Sequence, residues 1–232
     1  LGRMFVHAAQ RMGYLTAVLD PDPTSPAGLV SHFHIQADYL NEPGLTQLMQ
    51  RCSAITTEFE NVPALALQRL AQWTQVTPDA HAVSIAQDRA REKAHFVACG
   101  VPVAPHLVIE RAEQLNDVGD DLLPGILKTT RLGYDGKGQV RVQSRAQLHA
   151  AWQQLQGSSP SSVVCILEKR LPLKCECSVV LARAADGSHT HLPVQMNVHR
   201  DGILALTEVA PHWVPDELAQ ALLQAALAVA EG

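Results

Sequence analysis

Lys128, followed by Gly133-Tyr134-Asp135-Gly136-Lys137-Gly138-Gln139, sets a cationic side chain and a three-glycine loop between two segments that read as strands. Glycine lets a backbone turn through positive φ and come close to a ligand, so successive N–H groups can converge on an anion while Lys128 and Lys137 supply full charges. A G-x-x-G-x-G run with a polar centre also serves as a plain hairpin turn, and the loop alone fits either reading. Lys137 equally fits a solvated loop charge. Lys128 does not, because a lysine inside an apolar strand is costly without an anionic partner.

The flanking pattern predicts strands at Gly125–Thr129, which carries Lys128, and at Gln139–Val142. Upstream lie a strand at 107–109 and a helix at 112–118. Downstream, Ser144-x-x-Gln147 reads as a capping box opening a helix that runs to Gln156, and 157–160 reads as a surface loop. Residues 163–167 form an apolar strand ending on Glu168, and 175–181 alternates so that Glu176 and Ser178 oppose Cys175, Cys177 and Val179. Strands at 191–198 and Ile203–Glu208 are joined by His199-Arg200-Asp201-Gly202, with the Asp-Gly of a tight hairpin. Pro215 and Asp216 open a last helix with Leu218, Leu222, Ala225 and Val229 on one face.

The first eighty residues alternate instead: helix 5–12, strand 15–19, a proline-rich loop, helix 43–50, strand 54–57 and helix 63–72. Such alternation predicts an α/β unit with a parallel sheet and a ligand crevice at the carboxyl ends of its strands. Glu58-Phe59-Glu60-Asn61 falls at such an end, where its carboxylates suit either a site or the N-terminus of the next helix. The helix carrying Asp88-Arg89-Ala90-Arg91-Glu92-Lys93 opens a second domain.

With 232 residues and 47% hydrophobic content the chain can build a real core, and a net charge of -5 with scattered Lys and Arg argues against a nucleic-acid partner. Five cysteines without a C-x-x-C pair fit a reducing cytoplasm. Cys175-x-Cys177 has the spacing of half a metal site, but buried thiols are the expected reading. The histidines His32, His34, His189 and His191 are expected at exposed strand positions, without metal. No signal peptide or membrane-length apolar run is visible, so a soluble protein with no membrane partner is expected. Opening on Leu1 and closing at Glu231-Gly232 directly after a helix, the chain is expected to be a piece of a longer protein.

Taken in order, Arg89 on a helix, Lys128 on a strand, the glycine loop, Glu168, Glu176 and Asn197-x-His199 resemble the ATP-grasp enzymes. Glu58-Phe59-Glu60-Asn61-Val62-Pro63, Gly133 to Gln139, and Asn197-Val198-His199-Arg200-Asp201-Gly202-Ile203-Leu204 resemble one family among them, the 5-(carboxyamino)imidazole ribonucleotide synthetases of purine biosynthesis. The resemblance starts at Leu1-Gly2-Arg3-Met4, which is similar to the end of that family's amino-terminal glycine motif. It implies a parallel-sheet, Rossmann-like pre-ATP-grasp domain over 1–80, then an incomplete ATP-grasp α+β domain over 81–232 with a small lid subdomain over about 106–170.

It also implies roles. Arg89 and Lys128 contact ATP phosphates, and Gly133, Tyr134, Asp135, Gly136, Lys137, Gly138 and Gln139 fold over them. Glu168, Lys169, Arg170 and Leu171 line the adenine, Glu176 bonds the ribose hydroxyls, and His199 lies near the nucleotide. Glu60, with Tyr134 and Asp135, contacts the ribonucleotide, so Lys128, Tyr134, Asp135 and Glu60 are the expected catalytic set. The implied substrates are ATP, bicarbonate and aminoimidazole ribonucleotide. Mg²⁺ is the implied metal, its ligands expected beyond Gly232 and none within this chain, and a homodimer is the assembly common in that family. The same loop would serve a formate-using glycinamide ribonucleotide transformylase, a biotin carboxylase or a non-catalytic nucleotide-binding module.

Overall fold

The computed structural model describes residues 1–133, 138–157, 162–200, 203–209 and 214–232. Tyr134, Asp135, Gly136 and Lys137 of the glycine loop lie outside the described residues, as do Ser158 to Pro160 and Asp201-Gly202, where a surface loop and a tight hairpin are expected. The chain divides into two compact units, Leu1–Gln87 and Asp88–Gly232.

In the first unit helices and short strands alternate: α1 (Gly2–Arg11), β1 (Ala17–Leu19), β2 (Phe33–Ile35), α2 (Glu42–Arg51), β3 (Ala54–Ile55), α3 (Ala64–Leu70), β4 (Gln75–Val76) and α4 (Ala80–Ala86). β1 pairs with β2 and β3 with β4, both in parallel, as the alternation predicts. The Asn41 side chain caps α2 by accepting from the Gly44 amide at 2.8 Å, and Pro43 sits in the first turn, where a missing N–H costs nothing. Leu45 and Leu48 of α2 pack with Ile35, Ile55, Ala66 and Leu70 to form the core. The sequence reading misses β2 and β4 because strands this short leave no alternation to detect. The expected exposure of His34 is wrong: it is half-buried, and its Nε2 donates to the Asp20 carbonyl at 3.1 Å. His32 is exposed but precedes β2, its Nδ1 accepting from the Thr16 amide at 3.1 Å.

The second unit opens with α5 (Arg89–Ala98), followed by β5 (His106–Ile109), β6 (Gly125–Thr129), β7 (Gln139–Val142), α6 (Arg145–Gln156) and β8 (Cys165–Lys169). The four strands form an antiparallel sheet in the order β5-β8-β6-β7. Strand alternation gives this sheet two different faces. Ile109, Leu127, Val142, Cys165 and Leu167 share one face and pack against Leu115, Val118 and Leu122 of the β5–β6 connection and Leu148 and Ala151 of α6. Burial there pushes the Cys165 thiol up to about 11. Lys128, Ile166, Glu168 and His106 occupy the other face.

Three local expectations are corrected here. Residues expected as a helix at 112–118 form a 3₁₀ turn, Ala112–Asp117, because six residues before Gly119 are too few for a stable α-helical nucleus. Ser144 makes no side-chain cap bond; Gln147 Oε1 instead accepts from the Gln143 amide at 2.8 Å. The strand expected at 163–167 begins at Cys165, since the Gln156 side chain already satisfies both backbone groups of Val163 at 2.8 and 2.9 Å. Glu168 therefore lies within β8 and not at its end.

Beyond β8 come β9 (Glu176–Ser178), β10 (Leu181–Arg183), β11 (His189–His191), β12 (Gln195–Arg200), β13 (Ile203–Glu208) and α7 (Asp216–Glu231). β12 lies between β9 and β13, while β10 and β11 form a separate hairpin, and all of these pairs are antiparallel. The single strand expected at 175–181 is thus two, because the chain changes partner after Ser178. The strand expected at 191–198 is broken at Pro193, which has no N–H for a ladder. His189 and His191 are exposed on β11. Cys175 is exposed and Cys177 half-buried against Met196 Sδ at 3.4 Å, so the expected burial of this pair is not met. α7 fully buries none of its side chains, and Leu218 is exposed. Ala219 and Leu223, one position round from the expected face, line a cavity with Val179, Pro193 and Val214.

Leu127→Ala, at a fully buried position, is expected to lower the unfolding free energy by about 2–5 kcal/mol in urea titration. A midpoint equal to wild type would show that this core does not hold the unit.

Candidate functional site

On the sheet face opposite the core, Lys128 Nζ donates to Glu168 Oε2 at 2.8 Å, and Lys93 Nζ lies 3.4 Å from Glu168 Oε1. The three side chains are only 12–17% exposed, so both oxygens of a largely desolvated carboxylate are held by ammonium groups. Burial alone would push the Glu168 carboxyl up, but the hydrogen bond and charge of Lys128, with those of Lys93, outweigh it and hold it below the usual carboxylate value. Glu92 goes the other way. Burial pushes its carboxyl up, the Glu168 charge adds to this, and Arg89, Lys93 and Lys128 offset it only in part.

Local structure brings α5 to β6. Asp88 caps the helix, accepting from the Ala90 amide at 3.0 Å, and the Arg131 guanidinium approaches Asp88 at 3.8 Å. The Arg89 amide donates to the Thr130 carbonyl at 2.9 Å, fastening the first helical turn to the residue after β6. Arg89 and Lys93 then lie one turn apart on the same side of the helix. The sequence reading assigns Arg89 and passes over Lys93 and Glu92; their spacing from Arg89 puts them on its side of the helix, but only the sheet that covers this side shows that it is buried.

The glycine loop connects β6 to β7, with Lys128 opposite Gln139 in the ladder. The Thr129 amide donates to the Gly138 carbonyl at 2.8 Å. Gly138 has φ +71°, and a Cβ there would lie 2.7 Å from Thr129 Oγ1, so this position requires glycine on two counts. Leu132 takes φ 59° without being glycine. β6 and β7 pair antiparallel on either side of the loop, and residues 134–137, on which both the turn and the phosphate readings rest, lie outside the described residues.

After Glu168 the chain is pinned. The Lys169 amide donates to the Pro105 carbonyl and the Arg170 amide to the Pro124 carbonyl, both at 2.9 Å, and Leu171 is exposed. Glu176 on β9 faces Asn197 on β12, and His199 Nδ1 bonds Glu176 Oε2. The structure therefore joins Lys128 to Glu168 and Glu176 to His199. Glu60 lies in the first unit, exposed, its carbonyl accepting from Gln87 Nε2 at 2.7 Å. Nearby Glu58 Oε2 would sit 3.1 Å from a Cβ placed on Gly2, so the start of α1 packs closely on this acidic stretch. Among the described residues no group of three or more His, Cys, Asp or Glu could hold a metal ion, and no helix is long and apolar enough to cross a membrane.

Residues 94–232 match the family model of the ATP-grasp domain, and residues 1–87 match that of the ribonucleotide synthetase preATP-grasp domain. The chain belongs to the ATP-grasp family: a pre-ATP-grasp unit is followed by ATP-grasp structure of mixed helices and sheets. Among its relatives, the N5-carboxyaminoimidazole ribonucleotide synthase of Staphylococcus aureus strain MRSA252 is 37% identical over 210 residues, covering 90% of this chain and 55% of the relative. A solved N5-carboxyaminoimidazole synthetase from Staphylococcus aureus complexed with ADP superposes with TM-score 0.89 at 35% identity, over 99% of this chain and 60% of the other. The Aspergillus clavatus enzyme in complex with ADP and 5-aminoimidazole ribonucleotide superposes with TM-score 0.83 at 27% identity, over 100% of this chain and 60% of the other. The chain spans little more than half the length of the curated relative it matches.

Two neighbouring substitutions are expected to act oppositely on stability. Glu168→Gln should cost about 1–3 kcal/mol at neutral pH by leaving two poorly solvated ammonium groups without their carboxylate. Because the folded Glu168 carboxyl is lowered, its contribution is complete above the ordinary carboxylate range and disappears as pH falls through the folded value. Glu92→Gln should raise stability at neutral pH, with the gain shrinking as pH falls through the raised value of Glu92. Thermal melts across an acid pH series check both; equal melting temperatures for wild type and Glu168→Gln would refute the ion-pair account.

Proposed function

We propose that this chain is the nucleotide-binding part of an ATP-dependent ligase that carboxylates 5-aminoimidazole ribonucleotide with bicarbonate in purine biosynthesis. The observation that carries this reading is a charged lysine site beside a glycine hairpin, in a chain 37% identical to a synthase of that product. A bicarbonate oxygen attacks the γ-phosphorus of ATP, the bond to the bridging oxygen breaks, and ADP leaves with carboxyphosphate formed. The exocyclic amine of the ribonucleotide then attacks the carboxyl carbon, inorganic phosphate departs, and the nitrogen loses a proton. Little covalent work falls to the protein, so positioning and charge carry the catalysis.

In this reading Lys128 and Arg89 neutralise phosphate oxygens, and the loop from Gly133 to Gln139, with Tyr134, Asp135 and Lys137, closes over them as part of a lid spanning about 106–170. Glu168 to Leu171 line the adenine. Glu176 accepts from the ribose hydroxyls, which its contact with His199 supports, since one carboxylate oxygen is fixed and the other left for the sugar. Glu60, Tyr134 and Asp135 contact the ribonucleotide. Mg²⁺ would accompany ATP; the described residues do not themselves form a site for it, and no step is assigned to it. A homodimer is the proposed assembly.

The full-length gene product should release phosphate from ATP when aminoimidazole ribonucleotide and bicarbonate are both present, and not when formate or biotin replaces them. Lys128→Ala should lower ATP affinity or turnover at least about tenfold. Phosphate release supported by formate or biotin, or wild-type kinetics in the variant, would contradict the proposal.

A further inference from the structure

Glu168 is held at both oxygens, by Lys128 at 2.8 Å and by Lys93 at 3.4 Å, although of these two lysines the reading above calls only on Lys128 for phosphate. Were the Lys128 ammonium to turn to a phosphate oxygen, Glu168 would lose or share its shorter bond. A largely buried carboxylate deprived of its partner takes up a proton or swings away. The Arg89 amide ties the first turn of α5 to the Thr130 carbonyl at 2.9 Å, so the backbone from which Lys93 reaches Glu168 is fastened to the end of β6.

We propose that Lys93 is a positioning residue that keeps the Glu168 carboxylate charged and aimed once Lys128 has gone to phosphate, so that Glu168 selects adenine over 6-oxopurine nucleotides. An ionised carboxylate is an acceptor only, so it accepts from the 6-amino group of adenine and repels the 6-oxo group of inosine or guanine. A protonated Glu168 donates to that oxygen and loses the distinction. The groups facing Glu168 are Lys93 and Glu92 from α5, Lys128 from β6, and His106, its ladder partner on β5, whose Nδ1 is held by the Ala104 carbonyl at 3.0 Å. Of these, Lys93 is the one in contact with Oε1. The inference rests on the nucleotide reading and adds to it a residue that sets base preference.

The test is calorimetric binding of ATP and of inosine triphosphate to the full-length protein and to Lys93→Met, Lys93→Arg, Glu168→Gln and the Lys93→Met/Glu168→Gln double variant. Wild type should prefer ATP, and Lys93→Met should lower the ATP-to-inosine triphosphate affinity ratio by about tenfold or more. Lys93→Arg should restore most of the ratio, and adding Lys93→Met to Glu168→Gln should change it no further. As pH falls, the preference for ATP should fade at a higher pH in Lys93→Met than in wild type, because one of the two charges holding the carboxyl down is gone. A wild-type ratio kept in Lys93→Met, or a Lys93→Arg ratio as low as that of Lys93→Met, overturns the role of Lys93 while the nucleotide site stands. A wild type that binds neither nucleotide overturns the nucleotide reading and this inference with it.

Discussion

Three charges drawn out of water onto one sheet face cannot be stable singly, and the second unit is arranged so that they are not single. Glu168 accepts from Lys128 and Lys93, and what each group loses in hydration it recovers from fixed opposite charge at close range. That arrangement needs β6, β8 and α5 at set distances, which in turn need the core on the far side of the sheet and the Asp88 cap at the near end of α5. An ion cluster of this kind is a poor source of net stability. It is a good way to keep cations gathered and dehydrated for an anion that arrives later.

Much of this was readable from residue order. Lys128 within an apolar strand, its glycine-bearing connection and the returning strand at Gln139–Val142 all follow from side-chain chemistry and alternation, and the structure has those strands. The parallel pairing of the first unit followed from helix and strand taking turns. Lys93 was hidden because the charged run 88–93 reads as a solvated helix surface until a partner covers one side of it. Glu168 was placed at a strand end because the apolar run stops there, whereas the ladder starts late: a distant glutamine side chain satisfies Val163. Neither fact is local in sequence. The break in the strand expected at 175–181 has the same origin, since partner choice and not composition divides β9 from β10.

The two pairs that the structure joins differ in setting. Lys128 and Glu168 are largely enclosed, while Glu176 and His199 are about 40% exposed. Enclosure strengthens a charge contact and exposure leaves it adjustable. A ligand with a charged end and a polar sugar would meet firm electrostatics at one place and yielding hydrogen bonds at the other, which suits the proposed division between phosphate or base contacts and ribose contacts.

The alternation of β8 carries a further consequence. Cys165 and Leu167 look into the core, while Ile166 and Glu168 look the other way, so identity and parity are inseparable in this strand. Substitution can retune it residue by residue, but a single codon gained or lost between Cys165 and Glu168 would turn the acid inward and an aliphatic outward together. The reading frame of the pleat is therefore itself a functional feature, and descendants of this gene should vary here in kind and never in length.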